Sequence, residues 1–291
     1  MIRLLSIAGL CRVASLRSGS PRAVVDIASF LQLLILLASM SVWGGIIQRL
    51  RQGQPLLTRH VPATRPRPYL SVAIALIWIF IQCATMLLPG SSTHSVDKFD
   101  EGVALGLLLY NLCIQVITAC VLIVSLSRLG SQGLTRFGFD LRHAKESISV
   151  GIMGYFAAVV PVILANLAIL PLRTEDNQHI FLQILNAQQS VPLVALMSAS
   201  AVIMAPIEEE LLYRVIFQGT LQRYLTPWAS IIISSAIFSA VHGFPDAIGL
   251  FPLALVLGYL YWRTGSYLTI VTTHAVFNGV TVLLTLLSPQ G

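Results

Sequence analysis

The sequence predicts an all-α fold, a polytopic transmembrane bundle of about eight helices, and three observations carry that prediction. Only 10% of the 291 residues are charged, 18 Lys+Arg against 12 Asp+Glu. A soluble domain uses about 25% to dress its surface. The chain is 56% hydrophobic with a mean hydropathy of +0.81. Its apolar residues also fall into runs of about 20, the helical length that crosses a hydrocarbon core of roughly 30 Å. These facts exclude an ordinary water-facing surface, a disordered chain and a nucleic-acid-binding domain. The net charge of +6 does not reopen the last, because the basic residues sit in short gaps between apolar runs, as in loops facing anionic lipid.

The runs give the elements in order. The first four spans are Ile27 to Ile47, Tyr69 to Pro89, Gly102 to Leu126 and Ser147 to Leu172. A fifth starts at Val191, has no polar break before Ile207, and continues in helical pattern to Arg223. Three more follow: Trp228 to His242, Ala247 to Trp262 and Ser266 to Leu287. The sixth and seventh are short for complete spans, which calls for tilt, longer limits or shielding by protein. The chain divides into a basic tail (1–26), N-terminal transmembrane helices (27–190) and a C-terminal transmembrane core (191–287). The stretch around Pro62, Pro66 and Pro68 reads as a loop.

Loop charge sets an orientation. Arg49, Arg51, Arg59, Arg65 and Arg67 place the first loop inside, and Asp97, Lys98, Asp100 and Glu101 place the second outside. Arg128, Arg136, Arg142 and Lys145 put the third inside, and Arg173, Glu175 and Asp176 put the fourth outside. Arg223 and Arg263 then fall inside. The tail disagrees: Arg3, Arg12, Arg17 and Arg22 favour the inside, whereas eight spans put it outside. A start placed too early, a re-entrant first helix or a misplaced boundary would each resolve this. The expected setting is a multi-pass protein of the plasma (inner) membrane of a bacterium. Cys11, Cys83, Cys113 and Cys120 have no metal or redox spacing, and the last three lie in apolar runs as small hydrophobes.

Ionisable groups inside membrane helices are costly and mark function by default. Here they gather in one region: Glu208, Glu209, Glu210, Arg214, His242 and His274, with Asn278 one turn past the last His. A helix that has left the bilayer would also explain three consecutive acids as a solvated end. Against that, Glu210 and Arg214 are spaced i,i+4 with Glu on the N-terminal side, the favourable order for a helical ion pair. Pairing them leaves Glu209, turned by roughly 100° around the helix, as a separate group. Glu208 points elsewhere again, to a cavity wall or to water. His242 follows Phe238 by four residues and His274 precedes Asn278 by four. At about 1.5 Å per residue, His274 lies about 12 Å from the inner end of its helix, and Glu209 and His242 about 20 Å from theirs. Three helices can therefore bring these side chains into one cavity.

The order Glu-Glu-x-x-x-Arg (Glu209, Glu210, Arg214), Phe-x-x-x-His (Phe238, His242) and His-x-x-x-Asn (His274, Asn278) resembles the CAAX prenyl protease and bacteriocin-processing family, CPBP or Abi. Pro206 before the acids, Tyr213 before Arg214 and the Thr264-Gly265-Ser266 turn fit as well, over residues 190–287. Val215 stands where many members have Gly. The resemblance implies an intramembrane endopeptidase with its active site in a conical membrane cavity. It implies that Glu209 and His242 activate a water, that His274 and Asn278 stabilise the oxyanion, and that Glu210, Arg214 and Phe238 are structural. The implied partners are membrane lipids and a peptide or lipidated protein substrate, with no nucleic acid.

The residue types leave both a metal-dependent and a metal-free site open. Glu209, His242 and His274 could hold zinc with a free fourth position, but His-Glu-x-x-His is absent and a metal-free mechanism is equally open. Gly-x-Ser-Gly and Gly-x-Gly-Asp signatures are absent too. A catalytically silent scaffold and a proton-coupled transporter would use the same buried cluster. A transporter, however, should repeat the interruption in both halves, and the N-terminal half has no polar counterpart.

Overall fold

A computed structural model describes residues 21–57, 68–87, 101–129, 133–172 and 191–287. The described residues form eight helices and no strand. They are α1 (Pro21–Arg51), α2 (Tyr69–Leu87), α3 (Glu101–Ser127), α4 (Ala144–Ala168), α5 (Val191–Leu221), α6 (Pro227–Ala240), α7 (Asp246–Thr264) and α8 (Tyr267–Leu287). Six of them, all but α2 and α6, are long and apolar enough over their described residues to cross a membrane. The helical bundle read from hydropathy is the one observed. Most of the tail, and Arg59, Arg65, Arg67, Asp97, Lys98, Asp100, Arg173, Glu175 and Asp176, lie outside the described residues, as do Cys11, Pro62 and Pro66.

Boundaries shift for local reasons. α1 begins at Pro21, inside the stretch assigned to the tail, with Pro tolerated in the first turn because its missing N–H is not needed there. α4 ends at Ala168 and tightens into a 3-10 turn at Leu170–Leu172. α6 starts where expected, with the Thr226 hydroxyl capping the Ala229 N–H (3.3 Å) and Pro227 in the first turn. It stops at Ala240, two residues before His242. α7 is longer than expected and can span, whereas α6 stays short at 14 residues. Its polar face (Ser230, Ser234, Ser235, Ser239) is buried in protein, which removes the penalty for hydroxyls in lipid.

α4 is the hub, packing on α1, α7 and α8. Its approach to α8 depends on Gly151, where a Cβ would lie 2.7 Å from Thr272 Cβ and 2.8 Å from the Thr269 carbonyl oxygen. Thr273 donates across the same seam to the Gly151 carbonyl at 2.8 Å. Small residues let membrane helices close in this way where no hydrophobic force drives them together. α1 and α3 leave Phe30, Leu33, Leu37, Leu107, Tyr110 and Ile117 exposed, the apolar skin expected against lipid.

Three loops assigned to the inside meet at one end of the bundle. The α7–α8 turn closes on Gly265 in the left-handed region (φ 61°), and its N–H returns to the Tyr261 carbonyl. Against it lies the α3–α4 connection, whose Gly138 carbonyl accepts from the Tyr267 N–H at 3.0 Å. Arg263 donates to the Leu57 carbonyl after α1. In the α3–α4 connection Arg142 forks onto Asp140 (2.7 Å), holding that carboxyl down to about 2. Trp228 stacks on Tyr259, and Trp262 packs at an angle against both with Arg263 over its ring, an aromatic belt suited to the membrane–water boundary.

Candidate active site

The site is built on α5, which is not a uniform helix. It runs α-helical over Val191–Ala199, widens to π geometry over Ser200–Met204, returns to α over Ala205–Glu210, widens again over Leu211–Gln218, and closes over Gly219–Leu221. Pro206 is the visible cause of the first change. It has no N–H for the preceding turn, and its ring crowds the carbonyl four residues back, which a wide turn relieves. The acidic triplet sits between the two wide turns, a location π-bulges favour in functional helices.

The triplet divides by environment. Glu210 is fully buried and accepts from Arg214 Nε at 3.2 Å and from His274 Nδ1 at 2.8 Å. Arg214 is also fully buried, with Nη1 on the Ser234 hydroxyl (3.2 Å) and its guanidinium over the Phe238 ring (5.0 Å). Ser234 in turn donates to the Tyr213 carbonyl at 2.9 Å, so α6 supplies the shell of the ion pair. Glu209 is 24% exposed, and its Oε2 lies 3.8 Å from His274 Nε2. Glu208 is buried inside the protein and does not face water.

His242 is not within α6, as the span to His242 expected, but on the turn just after it. Its Nδ1 lies 2.7 Å from the Phe238 carbonyl. A carbonyl only accepts, so Nδ1 carries the hydrogen, the tautomer that in a neutral ring leaves the lone pair on Nε2. The Phe238 ring contacts both imidazoles, at 4.8 Å from His242 and 5.8 Å from His274. Asn278 is buried and donates from Nδ2 to the Ala201 carbonyl at 2.7 Å. Tyr267 donates to the Ile207 carbonyl at 2.6 Å, a second strap from α8 to α5.

The residues singled out in the sequence thus gather on α5, α8 and the end of α6. Glu209, Glu210, Arg214 and His274 form one contiguous polar chain, and Phe238 joins His242 to it through its ring. Sequence reasoning paired Glu210 with Arg214 and missed that the same carboxylate also holds His274. It also missed Ser234, Ser235 and Tyr267. The adjacent Ser234 and Ser235, with Ser230 and Ser239 in the same apolar run, were a readable signal; Tyr267 had none.

Zinc is a group that Glu209, His242 and His274 could hold by residue type, beside an equally open metal-free mechanism. The placed ligands do not fit zinc: His274 Nδ1 is committed to Glu210, and among the described residues no cluster of three or more His, Cys, Asp or Glu side chains could hold a metal. Cys113 and Cys120 are free and exposed on α3.

Fold and site together define a multi-pass integral membrane protein whose ionisable groups converge on one internal site. Residues 191–280 match the family model described as type II CAAX prenyl endopeptidase Rce1-like, a family of peptidases, so this part of the chain is similar to CAAX proteases. No curated protein and no solved structure matches the chain.

Proposed function

We propose that the protein is an intramembrane endopeptidase that hydrolyses a peptide bond in a membrane-associated or lipidated substrate, in the plasma (inner) membrane of a bacterium. The observation that carries the reading is the contrast between adjacent carboxylates. Glu210 is sealed in an ion pair, while Glu209 stays partly open beside the imidazole that Glu210 orients. One acid braces and the other is free to act.

Peptide hydrolysis needs a deprotonated water, donors for the tetrahedral oxyanion and a proton for the leaving amine. Glu209 takes the water proton as general base, with the Nε2 lone pair of His242 accepting the second water hydrogen to aim the oxygen. The water oxygen bonds to the scissile carbonyl carbon as the carbonyl π pair moves to oxygen. His274 and Asn278 donate to that oxyanion. Glu209 then returns its proton to the amine nitrogen as the C–N bond breaks. For His274 to donate from Nε2 while Nδ1 remains on the Glu210 carboxylate, the ring carries both hydrogens in that step. At that stage the Glu210 carboxylate and the oxyanion balance the Arg214 guanidinium and the His274 imidazolium, the condition under which buried charges are tolerable.

The substrate class follows from the setting: a site reached from within the membrane suits a lipidated C-terminal tail or a membrane-anchored peptide. Purified protein is tested on a farnesylated CAAX peptide and a non-lipidated control, with products read by mass spectrometry, for wild type and His242→Ala. The reading expects cleavage of the lipidated peptide by wild type and its loss in the variant. Equal cleavage by both proteins would remove His242 from the site, and no cleavage of either peptide by wild type would remove the activity.

A further inference from the structure

The first wide turn of α5 contains a hydrogen-bond vacancy in the helix, and α8 fills it. The Ala201 carbonyl has two possible helical donors. Ala205, its α-helical partner, donates instead to Ser200, as π geometry requires. Pro206, its π-helical partner, has no N–H. A buried carbonyl without a donor costs free energy comparable to a lost hydrogen bond. Here the donor is the Asn278 carboxamide, at 2.7 Å. Since a carbonyl only accepts, it selects the NH2 end of the amide and leaves the second N–H of that group to donate elsewhere. One further contact holds the turn: the Ser200 hydroxyl donates to Gln115 Oε1 of α3 at 3.0 Å.

We propose that Pro206 is a positioning residue that acts through Asn278: by withholding a backbone N–H it keeps the Ala201 carbonyl open to grip and orient the Asn278 amide. Its catalytic consequence rests on the reading of Asn278 as an oxyanion donor, whereas the grip on the amide does not. Pro206→Ala supplies the missing N–H, lets the helix satisfy Ala201 and releases Asn278. The sign of the stability change separates this from a structural role, because replacing Pro by Ala within a helix holds or raises stability.

The test uses the full chain in detergent or bilayer. In protein labelled with 15N on asparagine, the Asn278 side-chain amide signal, assigned by its loss in Asn278→Ala, shifts in Pro206→Ala while the thermal midpoint is held or raised. An unmoved signal overturns the proposal whether or not the protein cleaves anything. On a cleaved peptide, Pro206→Ala lowers kcat by about tenfold or more with KM within about twofold, in line with the 10²–10³ cost of losing an oxyanion donor. In an Asn278→Ala background the same substitution changes kcat less than about twofold. Full multiplication of the two losses, or a wild-type rate in Pro206→Ala, overturns it. Absence of cleavage by wild type sinks the peptidase reading, and the amide signal still decides this one.

Discussion

Glu210→Gln is the perturbation whose size the structure fixes best. The wild-type carboxylate accepts from two donors, Arg214 Nε at 3.2 Å and His274 Nδ1 at 2.8 Å, and it offsets a guanidinium with no exposed surface. Gln keeps the shape but offers one acceptor oxygen and an NH2 group, so one buried donor then faces a donor. A hydrogen bond to a charged group contributes about 1.5–3 kcal/mol, and an uncompensated buried charge costs about 3–5 kcal/mol. Glu210→Gln should therefore destabilise by about 3 kcal/mol or more, seen as a lower thermal midpoint of the purified protein in detergent. Arg214→Met added to Glu210→Gln removes the stranded charge and should recover part of the loss, since apolar replacement of a whole buried pair is often neutral. A Gln variant within about 1 kcal/mol of wild type, with no recovery in the double variant, would refute the brace.

Two further outcomes follow from geometry. Gly151→Ala puts a methyl 2.7 Å from Thr272 Cβ and 2.8 Å from a backbone oxygen. Its overpacking cost of about 1–3 kcal/mol should exceed the helix-propensity gain of up to about 1 kcal/mol, while Gly44→Ala, with open space around it, should lose nothing; paired melts in detergent decide. Incubation with a zinc chelator should leave the cleavage rate unchanged, since the placed Glu209, His242 and His274 do not form a ligand set. A loss of tenfold or more that zinc restores would show that the ligands regroup.

Hydropathy and charge made most of the fold legible, because a helix that must bury itself in lipid writes its length into composition. The Glu210–Arg214 pair was legible for a related reason: i,i+4 spacing survives local changes of pitch. What depended on helical phase was not. Counting at 3.6 residues per turn through Ser200–Met204 and Leu211–Gln218 misassigns faces, since each wide turn adds a residue, and Pro206 signalled the disturbance without giving its form. His242 was legible as a residue and misplaced as an element, because the apolar run continues through Val241 after the helix has ended. The partnership of Glu210 with His274 spans 64 residues, and no local spacing encodes it.

The central claim is that Glu209 does chemistry while Glu210 holds structure, and the most direct measurement is the turnover of Glu209→Gln beside its stability. Glu209 is partly exposed and makes no close ion pair, lying 3.8 Å from His274 Nε2. Removing its charge should leave the thermal midpoint at the wild-type value. Loss of a general base should lower kcat on a farnesylated CAAX peptide by about 10²–10⁴-fold. Turnover within a few-fold of wild type, or a loss of activity that tracks a loss of folding, would contradict the account.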